Sequence, residues 1–201
     1  MSEKYVVRVL TIGYTDVGKT SIILRFTKDT FTDKYVSTIG IDFKSKPLKI
    51  GNNIVKVNVF DTAGQEKYKG IVKSFYTKAN GILLTFDLSN KESFSMLGYW
   101  VDELKENVGS EDIFILLVGN KKDKNERQVS FEEAQKYAED YNFGGYYEVS
   151  AKTGEGINDL FLDVTKGALK KILNKNNDEN NSMQLTFSDT KEKKQKNKAC
   201  C

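Results

Sequence analysis

The run Gly13-Tyr14-Thr15-Asp16-Val17-Gly18-Lys19-Thr20 fits the pattern G-x-x-x-x-G-K-[ST]. It lies between a β-rich apolar stretch, Lys4 to Ile12, and the residues Ile22, Ile23 and Phe26, which recur at helical spacing to about Lys28. Strand, glycine loop and helix in that order leave few folds open. The glycines let the backbone turn tightly around a phosphate with its N–H groups pointing inward, and the following helix brings the positive end of its dipole. Lys19 reaches the outer phosphates and the Thr20 hydroxyl suits Mg²⁺. Gly13, Asp16, Val17, Gly18, Lys19, Thr20 and Ser21 are therefore the candidate contacts for a nucleotide's phosphates.

The remaining chain reads as an alternation. Residues 29–40 carry no period and are expected to form a long loop, followed by strands at about 41–50 and 54–60 joined by the turn-forming Gly51-Asn52-Asn53. The only proline, Pro47, cannot donate to a sheet ladder, so its strand belongs at an edge. Then come a strand at 81–87, a helix at about 91–108, a strand at 113–118, a helix at 130–140, a strand at 145–149 and a helix at 156–173. Such alternation predicts an α/β fold, a mostly parallel six-stranded sheet with one antiparallel edge strand and helices on both faces. Trp100 lies on the apolar stripe Phe94, Leu97, Val101 and Leu104 and is expected in the core. Apolar content collapses near Lys175, which divides the chain into one domain, 1–174, and a flexible tail, 175–201.

Composition removes several classes of chemistry. The chain has no histidine, which excludes a Ser-His-Asp triad and a histidine-ligated zinc site. Its two cysteines, Cys200 and Cys201, are adjacent at the end and close no loop. A net charge of +3 without interleaved aromatics argues against a nucleic-acid partner. Apolar runs such as 113–118 are too short to cross a bilayer. The first residues lack a signal-peptide core, and Ser2 stands where N-myristoylation needs glycine, so a cytosolic chain is expected.

Two further constellations follow strands. In Asp61-Thr62-Ala63-Gly64-Gln65-Glu66, the Asp61 carboxylate suits Mg²⁺, Gly64 offers an N–H to a terminal phosphate, and Gln65 can orient an attacking water. In Asn120-Lys121-Lys122-Asp123, a carboxylate facing a purine's N1–H and exocyclic amine selects guanine over adenine. Ser150, Ala151 and Lys152 follow the last strand and can add a backbone N–H for the guanine O6. Ligands of parallel sheets bind at the carboxyl ends of strands, where all these motifs fall.

GYTDVGKT at 13–20, STIGIDF at 37–43, DTAGQE at 61–66, NKKD at 120–123 and SAK at 150–152, in that order, resemble a small GTPase of the Ras superfamily with the P-loop NTPase fold. STIGIDF and the final Cys-Cys resemble its Rab branch. The resemblance spans about residues 4–173. It implies a GTP/GDP switch with Mg²⁺ as cofactor, a GTPase (G) domain over 1–174, and mobile loops at about 31–42 and 61–76 that partners read in the GTP state. Thr38 resembles the switch threonine that ligates Mg²⁺, making Thr20, Thr38 and Asp61 the metal set; Lys19 and Gln65 take the catalytic roles. Phe31 resembles the aromatic that packs on guanine and Tyr35 the tyrosine that closes over the phosphates, with anchoring of the loop to the core as the other reading of both.

The tail run 191–198 holds five lysines and Glu192. The resemblance to Rab chains implies geranylgeranyl groups on Cys200 and Cys201, and two lipids give a stable anchor where one would be marginal. The implied partners are an exchange factor, a GTPase-activating protein, a dissociation inhibitor and effectors. The implied state is a monomer on the cytoplasmic face of an endomembrane, with a cytosolic pool and a role in vesicle traffic. Asp16 departs from the glycine or alanine usual in these proteins. It either repels the phosphates and speeds nucleotide exchange, or points to solvent or to Lys121. A non-hydrolysing or fast-exchanging guanine-nucleotide scaffold, and an ATP-dependent P-loop kinase, are the competing readings; Asp123 speaks against the second.

Overall fold

The computed structural model describes residues 3–33, 41–62, 69–107 and 113–175. In chain order these form β1 (Glu3–Gly13), α1 (Lys19–Lys28), β2 (Ile41–Ile50), β3 (Asn53–Thr62), α2 (Lys69–Tyr76), β4 (Gly81–Asp87), α3 (Lys91–Ser95), α4 (Leu97–Asn107), β5 (Phe114–Asn120), α5 (Phe131–Asp140) and β6 (Tyr146–Glu148). A last helix, α6, covers 157–175. The strands make one sheet in the order β2-β3-β1-β4-β5-β6. β2 alone is antiparallel to its neighbour, and it lies at the edge as Pro47 requires.

Period-two patterning divides the interior between two cores. On β1, Val7 and Val9 face α1 and α6, whereas Leu10 and Ile12 face the other side. The first core stacks Phe26 of α1 on Phe161 of α6, ring centroids 3.8 Å apart. The second gathers Tyr76, Phe94, Leu97, Trp100, Val101 and Leu104 from α2, α3 and α4, so Trp100 is buried on the stripe that predicted it. Helices therefore cover both faces.

The expected single helix at 91–108 is two. Asn90 caps α3 by accepting from the Ser93 amide, and the Ser93 hydroxyl accepts from the Asp87 amide at the end of β4. That tie holds the first turn against the sheet edge. Met96, at ψ −5°, opens the turn before α4 begins to follow the core. β5 also runs two residues beyond its expected end, so Asn120 belongs to the strand itself.

Candidate nucleotide-binding site

β1 delivers the phosphate loop through a backbone that other residues resist. Gly13 has φ +144° and Gly18 φ +90°, and a Cβ on them would run into the Thr85 carbonyl oxygen and the Asn120 side-chain amide, respectively. Between them Asp16, at φ +57°, is left-handed as well, a conformation aspartate tolerates better than most residues. The Lys19 ammonium is buried and donates to Gly13 O at 2.9 Å and Tyr14 O at 2.7 Å. Burial pushes its pKa down to about 8, against the opposing pull of the Asp61 and Asp16 carboxylates.

Asp61, at the end of β3, is 3% exposed. Burial raises its pKa, and a hydrogen bond from Thr20 and the charge of Lys19 oppose that rise. A buried carboxylate beside a hydroxyl offers two hard oxygen donors to a cation, a donor set that fits Mg²⁺, which keeps its other positions for water and phosphate.

The base side is braced to the phosphate side. Asn120 Nδ2 donates to Val17 O at 2.8 Å, and its Oδ1 accepts from the Ala151 amide at 3.2 Å. Lys121 Nζ donates to Asp16 O at 2.6 Å and pairs with Asp87 Oδ2 at 2.9 Å. Ser150 Oγ donates to Asp123 Oδ1 at 2.6 Å and accepts from the Thr153 amide, which orients the Asp123 carboxylate. The predicted residues of the phosphate loop, Asp61, Asn120 to Asp123 and Ser150 to Lys152 thus meet at one sheet edge.

The Asp16 carboxylate is 70% exposed and 3.8 Å from Lys121 Nζ, the alternative to phosphate repulsion that its sequence left open. Phe31 is half-buried and packs against the first core. Tyr35, Thr38, Gly64, Gln65, Cys200 and Cys201 lie outside the described residues, as does the tail beyond 175.

Two contributors escaped sequence reading. Asp87 ends β4 as Asp61 and Asn120 end theirs, and that shared position was the available signal. Lys121 and Ser89 hold its carboxyl below the usual range, although burial pulls the other way as the largest single influence. Arg25 on α1 donates to Ala151 O at 2.9 Å and Lys152 O at 2.8 Å, fastening the base loop to the first helix. Nothing local in the sequence marks a contact across more than a hundred residues.

The sequence is similar to those of known proteins. The Ras family profile matches residues 8–170. Rab-8B of Bos taurus is 37% identical over 179 residues, which cover 89% of this chain and 86% of that protein. The GTP-binding protein ypt2 of Schizosaccharomyces pombe is 35% identical over 181 residues, 90% of each chain. Rab-18 of Lymnaea stagnalis is 39% identical over 159 residues, 79% of this chain and 78% of its own. The chain belongs to the Ras family of GTPases. Within it the protein is Rab-like, a small GTP-binding protein that hydrolyses GTP to GDP and phosphate.

Proposed function

We infer that this Rab-like GTPase alternates between GDP and GTP states and regulates vesicle traffic from the cytoplasmic face of an endomembrane, with geranylgeranyl groups on Cys200 and Cys201 as its anchor. The observation that carries the reading is the hydrogen-bonded closure of the phosphate loop on the base loops, through Asn120 to Val17 and Ala151, Lys121 to Asp16, and Ser150 to Asp123. A site tied in this way needs little ordering when nucleotide arrives.

In this reading the loop N–H groups hold the phosphates while Lys19 gives up its carbonyl partners and neutralises the outer ones. Thr20 and Asp61, with Thr38, would hold Mg²⁺, which supplies charge neutralisation at the β- and γ-phosphates. Gly64 offers its N–H to the γ-phosphate and Gln65 aligns the water. Asp123 reads the guanine N1–H and amine, and Ala151 lies beside the O6 position. Among the described residues no strong base stands at this edge, so intrinsic turnover is slow and an arginine from an activating partner adds roughly 10³–10⁵-fold.

A candidate partner surface lies on β2, β3 and α2. Phe43, 51% exposed, packs on Phe60 at 5.3 Å, and Phe60 on Phe75 at 5.1 Å, an aromatic row across β2, β3 and α2. An exposed aromatic such as Phe43, backed by half-buried rings, is a typical anchor for an effector.

Single-turnover phosphate release from the GTP-loaded chain tests the mechanism. Release is expected on the order of 10⁻⁴–10⁻³ s⁻¹, to stop when Mg²⁺ is chelated, and to fall at least ~10-fold in Gln65→Leu with GTP still bound. Unchanged release in that variant would remove Gln65 from its role.

A further inference from the structure

Residues 150–157 are braced by their own backbone. Ser150 N donates to Glu155 O at 3.1 Å, Gly154 N to Ser150 O at 2.8 Å and Ile157 N to Gly154 O at 3.3 Å. The loop that carries Ser150, Ala151 and Lys152 is therefore one piece, and whatever fastens that piece fixes the base side of the site. Asn120 holds the Ala151 amide at 3.2 Å. Arg25, in the last turn of α1, holds the next two peptide planes, with Nε on Ala151 O at 2.9 Å and Nη2 on Lys152 O at 2.8 Å. One rigid guanidinium fork thus orients the backbone that faces the guanine O6.

Arg25 does this from outside the nucleotide site. It lies six residues beyond Lys19, about 9 Å further along α1. Its Nη1 donates to Asp29 O at 3.2 Å and Asp29 Oδ1 at 3.0 Å. The Arg25 side chain is 17% exposed and that of Asp29 90%. Both line a cleft of about 200 Å³ with Lys46, Gly154, Ile157 and Asn158. Lys46 Nζ donates to Phe26 O at 2.6 Å, so the lining carries two cations against one carboxylate. The cleft is smaller than the roughly 300 Å³ at which small-molecule pockets begin, which suits the end of a side chain.

The bonds from Arg25 to the loop end on neutral carbonyls, and a carboxylate accepts from a guanidinium roughly twice as strongly. Asp29 competes weakly, because water screens a pair so exposed. A carboxylate enclosed between Arg25 and Lys46 is screened less. We propose that Arg25 is a positioning residue that sets how long GDP stays bound, and that the cleft is a carboxylate subsite where an acidic side chain of a protein partner draws the guanidinium off the base loop. The proposal rests on the reading of residues 150–152 as the loop beside the base. The reacting end of the nucleotide, at Lys19, Thr20 and Asp61, is left as it was.

Release of a fluorescent GDP analogue from the full chain at saturating Mg²⁺ is the test, with single-turnover GTP hydrolysis as its partner measurement. Arg25→Ala is expected to release GDP about tenfold faster or more, and Arg25→Lys, which keeps the charge and one donor, to fall between. Hydrolysis of GTP already loaded should stay within about twofold in both, a split that general loosening of the fold would not produce. Asn158→Glu sets a carboxylate in the cleft itself, in the first turn of α6, where a negative charge favours the helix. It should speed release severalfold, Asn158→Gln should not, and adding Asn158→Glu to Arg25→Ala should change nothing further. Unaltered release in Arg25→Ala, hydrolysis falling in step with release, or equal effects of Glu and Gln at residue 158 would each overturn the proposal. If the unaltered chain releases GDP and ADP alike, the reading of the base loop falls, and this inference with it.

Discussion

Asp16 sits inside the loop that classifies the chain, and its geometry decides how far it disturbs function. A carboxylate about 6 Å from the phosphates repels them by ~0.7 kcal/mol when water-screened and ~3 kcal/mol at an effective dielectric of 20. Its 70% exposure and the Lys121 ammonium at 3.8 Å place it near the screened limit. Asp16→Gly is therefore expected to slow release of a fluorescent GDP analogue by about threefold or less. A tenfold slowing would mean that the charge acts unscreened, and an acceleration that the Lys121 pair outweighs the repulsion. Lys19 poses the opposite problem, a charge that burial suppresses to a pKa of about 8 from 10.5. Between those two values the unfolded chain binds the extra proton, so this residue makes stability rise with pH across that window, whereas well below it the penalty is full and does not vary with pH. Phosphate favours the charged form, so GDP binding above pH 8 must take up a proton. Calorimetry at pH 8.5 in buffers of different ionisation enthalpy should show an uptake that vanishes at pH 6.5; equal values at both would separate Lys19 from the phosphates.

At the scale of elements, what the sequence disclosed was what local rules control. β1, the phosphate loop and α1 were legible almost to the residue, because glycine positions and the helical recurrence of Ile22, Ile23 and Phe26 act over short separations. The break at Met96 was not, since the Ser93 tie to Asp87 depends on where β4 ends in space. The same limit applies inside the site. Asn120 read as a contact for the base, yet its amide also spans from the phosphate loop to residue 151, which no spacing rule reveals. Removing that brace in Asn120→Ala strands a buried carbonyl and a buried amide, each worth about 1–3 kcal/mol. Urea unfolding at fixed GDP should therefore show a loss of about 2–4 kcal/mol together with weakened GDP affinity. Ser130→Ala provides the contrast. It deletes only the cap that accepts from the Glu133 amide at the start of α5, so about 1 kcal/mol should be lost with GDP affinity unchanged.

Over the whole molecule, stability is unevenly placed. Two apolar cores hold the sheet, whereas its ligand edge rests on buried polar groups, Lys19, Asp61, Asn120 and Ser150 among them. Burial drives Lys19 and Asp61 toward their neutral forms, so without ligand both oppose folding, and a bound phosphate and cation reverse that. The domain's melting point must then report what occupies the edge. A ligand at about 1,000 times its Kd stabilises by ~4 kcal/mol, and a domain of this size gains about 2–4 °C per kcal/mol, so saturating GDP with Mg²⁺ should raise Tm by roughly 8–16 °C. ATP at the same concentration should leave Tm within a degree or so, because in the proposed reading Asp123, held by Ser150 at 2.6 Å, meets two donors on guanine that adenine does not present together. Asp123→Asn sets an amide N–H₂ against the guanine N1–H. It should abolish most of the GDP shift while moving the ligand-free Tm far less, since the Ser150 hydroxyl can donate to the amide oxygen as it did to the carboxylate. Equal shifts with GDP and ATP in the unaltered chain would move base selection away from Asp123, and with it the guanine specificity of the site.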